Sequence, residues 1–244
     1  MAKDSFKGAM ELKTIGLIGG MSWESSSEYY RIINEEVKNR LGGLHSARCI
    51  LYNVDFQEIA DYQIEGNWGA AARRLGDAAK SLERAGADFI VLCTNTMHIV
   101  AREMMEGIDI PLLHIIDVTA KEVLSRGIKT VGLLGTRYTM EQDFYRSRLE
   151  SHGLRVLVPG EKDREMVDSI IFDELCLGQI NEESRIHYIR VIEDLAKDGA
   201  KGIILGCTEI GLLVKSGDSP MPLFDTTLLH AVGAVDFALV SDQE

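Results

Sequence analysis

"KTIGLIGG" at 13–20 and "KTVGLLGT" at 129–136 carry one pattern twice: a lysine-threonine opening, an apolar run with one inserted glycine, and a glycine stop. A second pair follows each copy, "GADFIVLCTNT" at 86–96 and "GAKGIILGCTEI" at 199–210. Gly19 and Gly135 stand 116 positions apart, and Cys93 and Cys207 stand 114 apart. Two motifs repeating at nearly one period indicate duplication of a unit about half the chain long, within the usual range for a domain.

Strand and helix signals alternate around these anchors. Apolar runs at Thr14–Ile18, Arg48–Val54, Asp88–Leu92, a short one opened by Pro111, Thr130–Leu134, Leu154–Val158, Lys201–Leu205 and Leu223–Phe224 read as strands. Helical spacing is expected over Ser25–Leu41, Trp68–Ala85, Asp117–Arg126, Met140–Ser151, Arg164–Leu177, Glu182–Lys197 and Thr226–Val240. Strands apolar on both faces, alternating with helices, imply a parallel sheet covered on both sides. The expected fold class is α/β, with two pseudo-symmetric three-layer α/β/α domains, each built on a parallel four-stranded sheet, and an active site in the cleft between them. No linker separates the halves. The expected division is 12–116 plus 224–244 for the first domain and 117–223 for the second, the last strand and helix crossing back to complete the first.

The longest apolar stretches run about 5 to 8 residues, against roughly 20 for a membrane span. The N-terminal "MAKDSFKGAMELK" lacks the apolar segment of a secretory signal, and Met10 reads equally well as a start. A net charge of −12 with no Lys/Arg block argues against a nucleic-acid surface. Four scattered cysteines without a CxxC pair are expected to be free thiols in a reducing cytoplasm. "GLIGG" is not the GxGxxG dinucleotide fingerprint, and no histidine spacing suits a metal, so neither a cofactor nor a metal is expected.

In parallel sheets, ligands lie beyond the carboxyl ends of the strands. Each copy runs a strand into Cys-Thr, so a pseudo-twofold axis would set Cys93 and Cys207 on opposite sides of one small molecule. Racemisation removes a proton from one face of a carbon and returns one to the other, which suits a thiolate and a thiol exchanging roles. Charge developing on a substrate carboxylate needs donors, and Thr94, Asn95, Thr96 and Thr208 follow the cysteines where helices begin. "GGMS" at 19–22 and "GTRYT" at 135–139, which includes Thr136 and Thr139, end the first strand of each copy and border the same cleft.

Together "IGLIGGMSWESS", "VLCTNTMH", "LLGTRYTMEQDFY" and "GCTEIGLLV" resemble the aspartate/glutamate racemase superfamily of cofactor-independent two-cysteine amino-acid racemases, over about Thr14 to Ala234. The resemblance is greatest to its bacterial branch of aspartate/glutamate and broad-specificity enzymes. It implies a small amino-acid substrate, most simply aspartate or glutamate, with Cys93 and Cys207 as the catalytic pair. It further implies Thr94, Asn95, Thr96 and Thr208 as carboxylate contacts, and Met21, Gln63 and Thr136 as residues near the substrate. Some aspartate-specific relatives carry a lysine just before the helix corresponding to "IIFDEL", where this chain has Arg164-Glu165-Met166. Either Arg164 substitutes for that lysine, or neutral side chains such as that of homoserine are accepted.

Other residues admit plainer roles. Cys49 lies in an apolar strand and Cys176 in an amphipathic helix, both reading as small core residues. Glu209 either supports Cys207 or caps a helix. Thr136 and Thr139 also suit turn and cap positions. Arg137 is a candidate cation for an acidic substrate. His98 and His114 both read as structural, with His98, about one helical turn past Cys93, also placed where it could lower that thiol's pKa. A maleate-type isomerase, a non-catalytic amino-acid-binding module and a redox-sensing role are the competing functions, and a homodimer is an open option.

Overall fold

A computed structural model describes residues 12–239. The first half runs β1 (Ile15–Gly19), α1 (Trp23–Leu41), β2 (Cys49–Asn53), α2 (Phe56–Ile64), α3 (Trp68–Arg84), β3 (Phe89–Leu92), α4 (Ala101–Met104), β4 (Leu112–Leu113) and α5 (Ile115–Ser125). The second runs β5 (Thr130–Gly135), α6 (Arg137–Glu141), α7 (Asp143–Ser151), β6 (Arg155–Leu157), α8 (Glu161–Asp173), α9 (Glu182–Lys197), β7 (Ile203–Gly206), α10 (Ile210–Leu213), β8 (Leu223–Asp225) and α11 (Thr226–Leu239). All strand pairs are parallel, in two four-stranded sheets of order β2-β1-β3-β4 and β6-β5-β7-β8. The two orders are the same permutation, so the echo in the sequence is a duplication of topology.

Both faces of each sheet are covered. Ile18, Ile90 and Leu92 point into a cluster with the α3 stripe Ala71, Leu75, Ala78, Ala79 and Leu82. Ile15, Leu17, Phe89 and Val91 point the other way, against Tyr29, Ile33 and Val37 of α1 and Ala231, Ala234, Val235 and Ala238 of α11. Burial of each large side chain contributes about 1.5–3 kcal/mol. The central strands β1, β3 and β7 are short and wholly apolar because both their faces are dry.

The crossing elements differ from expectation. The strand β8 does not return to the first sheet; Leu223, Phe224 and Asp225 pair with Ile203, Ile204 and Leu205 of β7. Only α11 crosses, and α5 does the reverse, packing Ile115, Ile116, Ala120 and Val123 against Val131, Leu133 and Ile204 of the second sheet. Each half thus lends its last helix to the other. Where α5 and α11 cross, a Cβ on Gly233 would lie 2.9 Å from Val118 Cγ1, so glycine is what permits the approach.

Several helices also differ in extent. The helix α1 begins at Trp23, because Ser22 rather than a later serine caps it, its Oγ accepting from Ser25 N. The nine-residue α2, capped by Asp55, was not foreseen in "VDFQEIADYQIEG". The expected Met140–Ser151 helix breaks at Gln142, whose ψ of 145° is extended. The expected Arg164–Leu177 helix ends at Asp173 and continues as a 3-10 turn, Leu175–Leu177, stopped by Gly178. Val240 and Met10 lie outside the described residues. No helix among the described residues is long and apolar enough to cross a membrane.

Candidate active site

The carboxyl ends of β1, β3, β5 and β7 converge on a small cavity of about 30 Å³. Thr94, Asn95 and Thr96 line it from the first half, and Gly206, Cys207, Thr208 and Glu209 from the second. Met21, Gln63 and Thr136 also reach it, together with Phe56, Ile171, Phe172 and Cys176.

Cys207 sits in a compact hydrogen-bonded group. Its Sγ donates to Glu209 Oε2 at 3.1 Å, Thr208 Oγ1 donates to the same oxygen at 2.7 Å, and Ser22 Oγ donates to Glu209 Oε1 at 2.7 Å. Glu209 is only 2% exposed, so three donors replace the water its carboxylate has lost. Burial and then the adjacent Glu209 charge hold the Cys207 thiol well above its ordinary pKa. The resting thiol is therefore protonated and donates its hydrogen bond to that carboxylate. Ser22 arrives on a first-half loop fixed by Gly20, whose N–H donates to Ser26 Oγ at 2.8 Å. Gly20 has φ of +96°, and a Cβ there would fall 2.2 Å from Val54 O.

Cys93 does not join this group. It is fully buried among Phe89, Val91, Ala231 and Ala234, does not line the cavity, and its Sγ meets only Val91 O, at 3.8 Å. The expectation that Cys93 and Cys207 face each other is corrected by the sheet register. Gly16 pairs with Ile90 in the first sheet, and its counterpart Gly132 pairs with Ile203 in the second. Ile90 therefore corresponds to Ile203, Leu92 to Leu205, Cys93 to Gly206 and Thr94 to Cys207. Side chains alternate faces along a strand, so Cys93 follows Phe89 and Val91 toward α11 while Thr94 takes the position facing the cavity. The signal was available: an ungapped alignment of "GADFIVLCTNT" on "GAKGIILGCTE" sets Cys93 on Gly206.

The remaining candidates divide. Thr96 Oγ1 and Thr136 Oγ1 lie 3.0 Å apart, joining the two halves at the cavity wall. Asn95 also bridges them, donating to Thr226 Oγ1 at 3.0 Å and accepting from Tyr145 OH at 2.9 Å. Thr139 is fully buried behind Thr136, where its N–H donates to the Thr136 Oγ1 cap at 3.4 Å. Arg164 points away, donating to Glu141 Oε1 at 3.0 Å and Pro159 O at 2.8 Å. Arg137 lies outside this cavity, paired with Glu141 at 3.4 Å.

His98 is buried and neutral, desolvation holding its pKa well below the usual value, so it supplies no charge to Cys93. Its Nδ1 donates to Thr94 O at 2.7 Å and its Nε2 accepts from Ile115 N at 3.4 Å, fixing the turn that presents Thr94. Phe56, Ile171, Phe172 and Cys176 were not anticipated, because their placement depends on α2 and on the turn after α8. Among the described residues, no group of three or more His, Cys, Asp or Glu is placed to hold a metal ion.

Known proteins share this arrangement of chain. The family model described as Asp/Glu/Hydantoin racemase matches residues 18–234. A candidate Asp/Glu racemase from Yersinia pestis is 57% identical, with a TM-score of 0.88 over 94% of this chain and 100% of that one. An aspartate racemase homologue from Pyrococcus horikoshii is 36% identical, with a TM-score of 0.81 over 93% and 99%. The broad-specificity amino-acid racemase RacX of Bacillus subtilis is 25% identical over 91% of this chain and 96% of its own. With a matching model over most of its length and relatives aligned end to end, the chain belongs to the Asp/Glu/hydantoin racemase family.

Proposed function

We propose that this protein is a cofactor-independent amino-acid racemase in which Cys207 exchanges the Cα proton on one face and Thr94 serves the other. The observation that carries this reading is that Cys207 and Thr94 hold equivalent strand-end positions in the two halves and line one cavity. It replaces a symmetric thiol pair with an unequal pair.

The chemistry follows from the groups present. Glu209 Oε2, already the acceptor of the thiol proton, takes it as substrate enters. The thiolate so formed removes the Cα proton, and the new negative charge spreads onto the substrate carboxylate. Hydroxyls of Thr96, Thr136 and Thr208 surround the space that the carboxylate would fill, and preorganised donors there stabilise the charge as it develops. Return of a proton to the opposite face falls to the Thr94 hydroxyl, which recovers its own from water, and the hydroxide left behind takes the proton held by Glu209 and restores the carboxylate. A hydroxyl is a weaker acid than a thiol and its alkoxide is costlier to form, so the Thr94 step is the slower one.

Cα exchange in deuterium oxide tests this. The enantiomer whose Cα–H faces Cys207 acquires deuterium faster than it racemises, while its mirror image exchanges more slowly. Equal exchange from both enantiomers would show two matched bases and defeat the assignment. Because racemisation has an equilibrium constant of one, kcat/KM for racemisation itself stays the same in both directions.

A further inference from the structure

Resting on the assignment of Cys207 and Thr94 to the proton exchange, we propose that the substrate's side chain is neutral and hydrogen-bonding, a hydroxyl or a carboxamide, and that Gln63 is the residue that reads it.

The lining of the cavity is of two kinds, threonine hydroxyls with Asn95 and an apolar set of Met21, Phe56, Ile171, Phe172 and Cys176. Glu209 is the only charged side chain in the lining, and no lysine, arginine or histidine is part of it. An acidic side chain would bring a second carboxylate into a dry space that already holds Glu209, with no cation to pair it. A cationic side chain would face the apolar set, and the oxygens of Glu209 are already taken by Ser22, Cys207 and Thr208.

The cations nearby are committed elsewhere. Arg164 is held by Glu141 and by the Pro159 carbonyl, and Arg137 by Glu141. Met166 is partly buried, packed on the core of the second half. Its thioether offers no charge where some aspartate-specific relatives carry lysine.

One polar group remains with free capacity beside the apolar set. Gln63 is 6% exposed, its Nε2 meets only the weak acceptor Met97 Sδ at 3.0 Å, and its Oε1 has no partner. A buried carboxamide left this way favours a ligand that can both accept and donate. The same residue lines the wider neighbouring cavity of about 550 Å³, where Arg137 stands with Glu141 and Asp168, so a side chain threaded past it leads outward without meeting a net positive charge.

The test uses isosteric pairs, which separate charge from shape. Racemisation and Cα deuterium exchange are measured on the intact protein with glutamine against glutamate, asparagine against aspartate, and homoserine against norvaline. The neutral member of each acidic pair is expected to show a kcat/KM at least about tenfold higher, and homoserine to exceed norvaline by a similar factor, since sites built for a hydrogen bond reject analogues lacking it. Phe172→Lys, which puts a cation into the lining, should reverse the glutamine/glutamate preference, and Gln63→Leu should erase the homoserine/norvaline difference chiefly through KM. Faster turnover of glutamate and aspartate by the unaltered protein overturns the proposal while leaving the racemase reading intact. Absence of Cα exchange from every amino acid in the panel overturns the racemase reading itself.

Discussion

The two halves share a backbone plan but not a chemistry. At the end of β3 the chain reads Thr94-Asn95-Thr96, and at the equivalent end of β7 it reads Cys207-Thr208-Glu209. The first set is uncharged and bonded across to Thr136, Thr226 and Tyr145. The second concentrates a thiol and a carboxylate within one hydrogen-bonded group. Duplication therefore supplied two matching sockets that hold different side chains, a thiol bonded to a carboxylate in one and an uncharged Thr-Asn-Thr run in the other. The caps of the exchanged helices differ in the same manner. His114 accepts from Ile116 N at 3.3 Å to begin α5, whereas Asp225 accepts from Thr227 N at 2.9 Å to begin α11.

Removing the reactive side of that comparison has the largest effect. Cys207→Ala is expected to lower Cα deuterium exchange by about 10³-fold or more, the upper part of the range for losing a positioned acid/base. Glu209→Gln should reduce kcat by roughly 10–100-fold, because the thiol loses its proton acceptor. The same change removes a negative charge that raises the Cys207 pKa, so the thiol limb of the pH–rate profile should move to lower pH. A limb that stays in place would limit Glu209 to packing. Thr94→Cys restores symmetry, and exchange from the slower enantiomer should rise about tenfold, measured by mass spectrometry of the recovered substrate.

The histidines give the comparison a pH dependence. Burial holds His114 at about 3 and His230 at about 4. Both are neutral in the folded protein and would protonate near pH 6.5 when unfolded. Their contribution is complete above pH 6.5 and is lost as pH falls toward 4. Melting temperatures should fall across that window, and His114→Asn, which keeps a cap while removing the titration, should flatten part of the slope. Smallest of all is Cys93→Ala, expected to leave kcat/KM within about twofold, since its side chain packs on the sheet face turned away from the cavity and its loss perturbs packing more than chemistry.

The sequence made the α/β class, the duplication and most strands legible, because period-two and period-3.6 patterns record which faces are dry. Its gapped match of the two cysteines misled. Identity of residue type outweighed register, although the glycines before each strand, Gly86 and Gly199, already counted out an ungapped correspondence. The cavity wall was harder to read. Gln63 rides on a nine-residue helix too short to show a clear stripe, and Phe172 and Cys176 reach the cavity only because α8 ends and the chain turns. Glu209 was visible as a neighbour of Cys207, but Ser22, 187 positions away, completes its bonding.

The exchanged helices bear on how so small a cavity admits anything. With α5 seated on the second sheet and α11 on the first, the halves are laced together at the seam behind the strand ends. Each helix would travel with the sheet it packs on if the halves moved apart, so such a motion would load the contact between α5 and α11 at Val118 and Gly233 rather than either core. The short α2, carrying Phe56 and Gln63, and the α8 end, carrying Phe172, face each other at the mouth, where Tyr138 OH donates to Gln63 O at 3.2 Å. The mouth is thus framed by one short element from each half, and the Tyr138–Gln63 hydrogen bond ties the two frames together across it.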